Sequence, residues 1–479
     1  MNPIITNIVQ GWNVEGKLED PKYFYSYESV EKILQNKKCY VIGRKGSGKS
    51  AICQHIYSLS DYNVFTSRLS FKNFPFNLMY EMEDRQFRHP NQYIKIWQYI
   101  IYSSILKMMA KNYSIDEKIR EVLERIYKPS VEHSLSREIS EWTSFQFGGE
   151  IAGTGGSAAL SKTFRQGGMT WAERVDRMED IIRDYVGQAK YYIVFDELDE
   201  DYQDVTDSQN FRLYIDLLTG LFKAVQEVKA LFKHSDGFRI MPVVFLRDDI
   251  YSHIPGGDKN KWSDMMIELE WNADSLKALL AHRIFQDDPI KKGKPVFLTE
   301  WKRVFIDKCV HYGVNKSKTA PPFDFIAKNT LLRPRDFIKY VKACCEEAER
   351  TGSDFITESI IHKVDRAFSN YLLEEFRDEL SPILPDIARI FDLLGNQRQW
   401  IISPDSFKEE FRQEVELGSI KEANVDKVLE TLYSFSVIGV QNRNVGHKHY
   451  FKYINTNMAY NRKEKIVIHR GLFKALGID

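Results

Sequence analysis

The chain has 479 residues, with 67 Lys and Arg balanced by 67 Asp and Glu. That length accommodates roughly two to four domains, and the neutral balance excludes a protein that coats nucleic acid by bulk charge while leaving room for a local basic patch. Its five cysteines (Cys39, Cys53, Cys309, Cys344 and Cys345) have neither zinc nor disulfide spacing, no signal peptide opens the chain, and no apolar run reaches the ~18 residues of a membrane span, so a reduced, cytoplasmic protein without a membrane segment is expected.

In chain order, residues 1–36 are a lead-in rich in aromatics, "DPKYFYSYESV", with Tyr23, Phe24 and Tyr25 at its centre. The run "CYVI" at 39–42 is short, apolar and β-branched, as a buried strand is. It enters "GRKGSGKS", in which Gly43, Gly48, Lys49 and Ser50 satisfy G-x-x-x-x-G-K-[ST]. Helical spacing of Ile52, Ile56 and Leu59 follows, so the motif has the strand–loop–helix context it requires. Glycines at 43, 46 and 48 let the backbone take positive φ and turn its N–H groups inward, and the helix N-terminus adds positive potential. The loop from Gly43 through Arg44, Lys45, Gly46, Ser47, Gly48, Lys49, Ser50 and Ala51 is therefore a candidate phosphate cradle. Lys49 is placed to reach the β- and γ-phosphates of ATP, and the Ser50 hydroxyl to ligate Mg²⁺.

A large insertion is expected at about 71–180. It contains an apolar helix, "IKIWQYIIYSSILKMMAKNY", and a glycine-rich stretch at 145–162 that reads as a β-hairpin. Next, "YYIVFDELDE" is a buried strand ending in Asp196-Glu197, where an acid faces the ligand crevice of an open parallel sheet. Asp196 is the candidate metal acid and Glu197 the candidate general base for an attacking water. Asp199, Glu200 and Asp201 read as solvated or secondary. The strand in "IMPVVFLRDDIY" ends in Arg247, which can either sense γ-phosphate charge or pair with Asp248 and Asp249. A fifth strand and an amphipathic helix with Leu276, Leu279, Leu280 and Ile284 follow. Helices continue to about residue 373, with "NKSKTAPPFDF" as their clearest loop. Within them, "LLRPRDFIKYV" opens a helix at Pro334 with Arg333 before it and Arg335 in its first turn. Arginine is disfavoured there by the helix dipole, so either an anionic ligand or a surface ion pair is implied.

The tail reads as three helices, the second capped by Ser403-Pro404, and then two strands around a turn at 444–446: a winged helix. Its third helix sets Lys427 against Asp426 and Glu430, poor chemistry for entering a DNA groove. The wing and its extension hold Arg443, Lys448, Lys452, Arg462, Lys463 and Lys465, so either DNA phosphate contact or a protein clamp is open.

Taken together, "VIGRKGSGKSAI", "IVFDELDE", "VVFLRDDIY" and "LLRPRDFIKY" resemble the AAA+/STAND group of P-loop NTPases in an origin-recognition/Cdc6-like layout. More narrowly, they resemble a bacterial family of mostly uncharacterised P-loop ATPases often linked to DNA repair or antiviral defence. The resemblance implies an α/β fold: a P-loop core at 1–285 carrying the insertion, a helical lid at 286–373 and a winged-helix domain at 374–479. It also implies an oligomeric, ATP- and Mg²⁺-dependent switch acting with DNA or an effector protein, with Lys49, Glu197, Arg247 and Arg335 as its catalytic residues. It would let Tyr23, Phe24 and Tyr25 wall the adenine, although core packing is the favoured reading of them. The alternative is an ATP-gated oligomeric scaffold with little hydrolysis. A complete Asp196-Glu197 pair favours hydrolysis, since a pure scaffold has no need of Glu197.

Overall fold

The computed structural model describes residues 2–59, 61–72, 76, 79–80, 90–127, 135, 137–139, 171–199, 208–234, 237–291, 293–442 and 448–478. They divide into two compact units: Ser26–Glu270 forms one, and Met1–Tyr25 together with Trp271–Asp479 forms the other.

The Ser26–Glu270 unit is organised on a parallel sheet. Strands β1 (Tyr40–Ile42), β2 (Val64–Ser70), β3 (Lys190–Asp196), β4 (Ile240–Leu246) and β5 (Met266–Glu268) lie in the order β2-β3-β4-β1-β5. All four pairings are parallel. β1 and β4 are buried throughout and β3 everywhere but Lys190, as continuous apolar runs must be when helices cover both faces. On one face Arg68 of β2 reaches Gln54 of helix Lys49–Tyr57. On the other, Phe195, Val244 and Tyr40 stand in register across three strands. There Trp97 meets Phe195 edge-on at 5.8 Å, and Phe222 stacks on Tyr40 at 4.5 Å. These contacts seat helices Ile94–Met109 and Ser208–Leu231. The first of these is buried around nearly its whole circumference because it also packs on helix Trp171–Tyr185.

Strand β2 is absent from the sequence expectations, and it places "VFTSRLS" on the sheet edge immediately before the insertion. Within the insertion, helices Ile94–Met109, Glu117–Ile126 and Trp171–Tyr185 are described. The hairpin expected at 145–162 lies outside the described residues.

In the second unit, helix Pro3–Gly11 packs on helices Ala273–Asp287 and Pro334–Thr351, burying Ile4, Ile5 and Ile8. Trp12 and Tyr23 are buried in the same core. Trp12 Nε1 and the Tyr23 hydroxyl donate to the two oxygens of Asp287 at 2.7 and 2.5 Å, and the Arg283 guanidinium lies 4.5 Å from the Trp12 ring. Trp12 and Tyr23 of the lead-in are thus core of the helical unit, and their polar tips are satisfied there.

The expected boundaries shift accordingly. The cut after 285 falls inside helix Ala273–Asp287, and the cut after 373 falls inside the continuous helix Glu358–Leu380. The stretch expected as a loop, "NKSKTAPPFDF", holds strand β7 (Lys318–Ala320), paired with β6 (Val310–Tyr312), and the start of helix Pro322–Asn329. Gly313, Asn315 and Lys316, all at positive φ, make the turn.

Helices Ile387–Asn396, Pro404–Glu416 and Val425–Ser434 form the winged helix with an antiparallel sheet. Its strands are β8 (Ile401–Ile402), β9 (Ile438–Asn442), β10 (Lys448–Tyr450) and β11 (Lys465–Ile468), in the order β8-β11-β9-β10. Strand β11 is an addition to the expected pair, and the turn at 444–446 lies outside the described residues. Ser403 stands at the helix start with extended backbone, but its side chain makes no cap bond. Among the described residues no helix is long and apolar enough to cross a membrane, and all five cysteines are free thiols.

His469, just after β11, is 1 % exposed, accepts from the Gly471 N–H at 3.1 Å and lies against Phe451 and Tyr453. Burial pushes its pKa down to about 4, opposed by Asp336 and reinforced by Arg333. The unfolded imidazole takes up its proton near the usual 6.5, so stability is undiminished above that pH and falls as pH drops towards 4. The full effect is on the order of 3 kcal/mol. His469→Gln should flatten that part of the profile, as measured by urea denaturation of both proteins between pH 4 and 7.

Candidate functional site

At the carboxyl end of β1 the chain enters the loop of residues 43–50. A side-chain carbon at Gly43 would meet Ser47 Oγ at 2.6 Å and Leu269 Cβ at 3.0 Å, so only glycine fits. Gly46 and Gly48 take φ of +78° and +97°, and Gly48 caps helix Lys49–Tyr57 in the left-handed conformation. Lys49 is half-buried; its Nζ donates to the carbonyls of Gly43 and Arg44 at 2.8 and 2.9 Å, curling back over the loop. Burial lowers the Lys49 pKa, opposed by Asp199 and Asp248. Ser50 and Ala51 lie in the first turn. Arg44 sits 3.7 Å from Asp248, and Lys45 is half-buried on the loop.

Asp196 ends β3 and is 3 % exposed. The Phe71 N–H donates to its carbonyl at 3.0 Å, fixing the strand end. Arg68 Nη2 donates to its Oδ2 at 2.6 Å. Glu197 takes φ of +60°, a conformation that costs a residue with a Cβ roughly 1–2 kcal/mol. This turns the backbone out of the strand, and the Glu197 carboxylate accepts from the Ser70 hydroxyl. Strained non-glycine backbone of this kind is concentrated at functional sites. Arg68 and Ser70, both on β2, escaped the sequence reading because their strand did.

Arg247 follows β4 and is gripped by Asp249 at 3.0 and 2.6 Å, with Asp199 at 3.6 Å. The carboxylate pairing expected of this residue is present through Asp249.

The oxygen-only donors here, Ser50 and Asp196, suit Mg²⁺, which commonly takes one or two protein oxygens and completes its shell with phosphates and water. Among the described residues no group of three or more His, Cys, Asp or Glu converges as a self-sufficient metal cage.

Arg333 and Arg335 belong to the other unit. Arg333 is buried, with Asp336 gripping it at 3.0–3.2 Å and Glu379 at 3.0 Å. Arg335 lies between Glu15 at 3.0 Å and Glu375 at 3.5 Å. Acidic side chains of the same unit thus meet the electrostatic demand that an arginine makes at a helix start. In the wing region, Arg462 is held by Asp426 and Glu430, and Lys452 Nζ donates to the Met458 carbonyl at 3.3 Å. Lys448 is exposed, and Arg443 lies outside the described residues.

Residues 274–377 match the family model described as the FunZ-associated C-terminal helical domain. No curated protein matches the chain. Among solved structures, it is similar to the Aeropyrum pernix ORC1 protein in complex with DNA at 11 % identity, covering 97 % of this chain and 96 % of that one with a TM-score of 0.37. The A. pernix ORC2 protein in ADPNP–ADP complexes is 13 % identical over 95 % and 96 %, with a TM-score of 0.36. A Walker-type ATPase of Pyrococcus abyssi is 10 % identical over 95 % of each chain, with a TM-score of 0.39. Likeness of this degree leaves the chemistry to the residues themselves.

The two lid arginines should separate cleanly in stability. Arg333→Ala strands two buried carboxylates and should cost about 3–5 kcal/mol. Arg335→Ala breaks one pair with Glu15, whose side chain is 60 % exposed, and a longer one with Glu375 at 3.5 Å, and should cost less, about 1 kcal/mol. Denaturant midpoints of the two variants against wild type check this.

Proposed function

We propose that this chain is a Mg²⁺-dependent ATP-binding and hydrolysing P-loop ATPase that works as a nucleotide-driven switch. The observation that carries the reading is the presence, at the carboxyl ends of β1 and β3 on either side of β4, of a glycine loop with Lys49 folded over it and a strand end bearing buried Asp196 and strained Glu197. The loop N–H groups and Lys49 would hold the phosphates, and Ser50 and Asp196 would hold Mg²⁺. When bound, Mg²⁺ neutralises charge on the phosphate oxygens. Glu197 would orient a water and take its proton on a carboxylate oxygen, once released from Ser70. Arg247, held by Asp249 just after β4, would counter γ-phosphate charge.

A second reading is an ATP-gated scaffold with little hydrolysis, and it draws support from the ties that hold both acids, Asp196 to Arg68 and Glu197 to Ser70. Two variants discriminate. Lys49→Ala should abolish ATP binding under either reading, measured by calorimetric titration. Glu197→Gln should keep binding but cut turnover roughly 10²–10⁴-fold if Glu197 is the base. A wild-type protein that binds ATP but turns over no faster than Glu197→Gln is the scaffold.

Genome maintenance or antiviral defence is the setting that the resemblance implies, with an oligomer and an effector or DNA as partners. For DNA, the commitment of Arg462 to the acids of its neighbouring helix favours a protein clamp over a phosphate grip. Wild type should therefore give at most a weak mobility shift with duplex DNA. A strong, steeply salt-dependent shift that Lys448→Glu with Lys452→Glu removes would return the wing to DNA.

A further inference from the structure

We propose that Arg68 is a built-in counter-cation for Asp196 that a divalent ion must displace, so that Arg68 sets the Mg²⁺ concentration at which this chain binds nucleotide. The inference rests on the phosphate-site reading above and concerns a residue outside the glycine loop and the strand-end acids.

Strand register places the two groups. Ser70 of β2 stands opposite Asp196 of β3, and Arg68 stands opposite Val194. Side chains two residues apart on a strand share a face, so Arg68 starts one pleat behind Asp196 and reaches forward along the sheet to it. Nη2 and Oδ2 are 2.6 Å apart, with the side chains 16 % and 5 % exposed. A carboxylate this buried needs a cationic or hydrogen-bonded partner. Arg68 is that partner here. A guanidinium and a divalent cation crowded on the same carboxylate repel each other, so the two occupancies compete.

The guanidinium also has somewhere to go. Its Nη1 points to Gln54 Oε1 at 3.4 Å on helix Lys49–Tyr57, the helix that begins with Lys49 and Ser50. Its planar fork thus spans an acid at the metal position and a neutral amide beside it, which the point charge of a lysine would not do. Displacement requires a small swing towards Gln54. The affinity of a site that is competent only part of the time is reduced by that fraction, so an Arg68 seated nine-tenths of the time would raise the Mg²⁺ requirement about 10-fold.

The test is titration of a fluorescent ATP analogue at a series of Mg²⁺ concentrations and in EDTA, for wild type, Arg68→Gln and Arg68→Lys. Arg68→Gln should lower the half-saturating Mg²⁺ roughly 10-fold and leave affinity in EDTA unchanged. Its melting temperature without Mg²⁺ should fall, and Mg²⁺ should restore more of it than in wild type. Arg68→Lys keeps the charge but loses the fork, and should lower the requirement by a smaller factor, about 2–3-fold. Should Arg68→Gln fail to fold, Arg68→Lys carries the comparison. An unchanged or raised Mg²⁺ requirement in a variant that still binds the analogue overturns the counter-cation role alone. Failure of wild type to bind the analogue in either condition overturns the phosphate-site reading, and the counter-cation role falls with it.

Discussion

The close approach at Gly43 is the constraint on which the rest of the site depends. With no Cβ there, the loop folds down so that Ser47 and Leu269 close around the end of β1. Leu269 donates its N–H to the Ile42 carbonyl at 2.8 Å, extending the β1–β5 pairing past the last ladder residue. The loop is therefore clamped between its own serine and the neighbouring strand, and Lys49 can fold back onto the Gly43 carbonyl. A side chain at Gly43 would have to push the Ser47 hydroxyl aside and crowd Leu269 Cβ.

Around that loop the charges are arranged in pairs. Asp196 takes Arg68, Asp249 takes Arg247, and Asp248 faces Arg44. Such pairing gives each acid a cationic partner within the protein, and where the acid is buried, as Asp196 is, it comes at the cost of desolvating both partners. The same rule operates in the helical unit with a different outcome. Arg333 is enclosed by Asp336 and Glu379, and its charge is consumed inside the fold. Arg68 and Arg333 look alike as ion pairs. What separates them is that the acid held by Arg68 ends a strand of the sheet that carries the glycine loop.

The parts legible in the sequence were those whose cause is local. The glycine loop, the apolar runs of β3 and β4 and the spacing of Leu276, Leu279, Leu280 and Ile284 each carry their reason within a few residues. Strand β2 does not. Its "VFTSRLS" is only half-buried apart from Leu69, and its function lies in Arg68 meeting an acid 128 residues further along the chain. Nor could the roles of Arg333 and Arg335 be told apart, because the acid that buries Arg333 against its own helix, Glu379, is a long way off in sequence. The ends of the units are hidden for a related reason. Helices Ala273–Asp287 and Glu358–Leu380 keep their apolar spacing across the expected boundaries, so nothing local marks a break.

The first 25 residues belong to the helical unit for the same kind of reason. Their aromatics sit next to β1 in sequence, which made a place beside the sheet the natural reading. Their buried polar atoms say otherwise. Asp287 accepts from both Trp12 and Tyr23, Arg283 lies over both rings, and Lys342 donates to the Trp12 carbonyl at 2.7 Å. Every one of these partners belongs to the helices after residue 270. The chain thus begins in the helical unit, leaves it at residue 26 and returns at residue 271, so the sheet unit is an insertion within another fold. Two covalent connections join the units, and the second follows directly on β5, the strand whose continuation at Leu269 closes over Gly43.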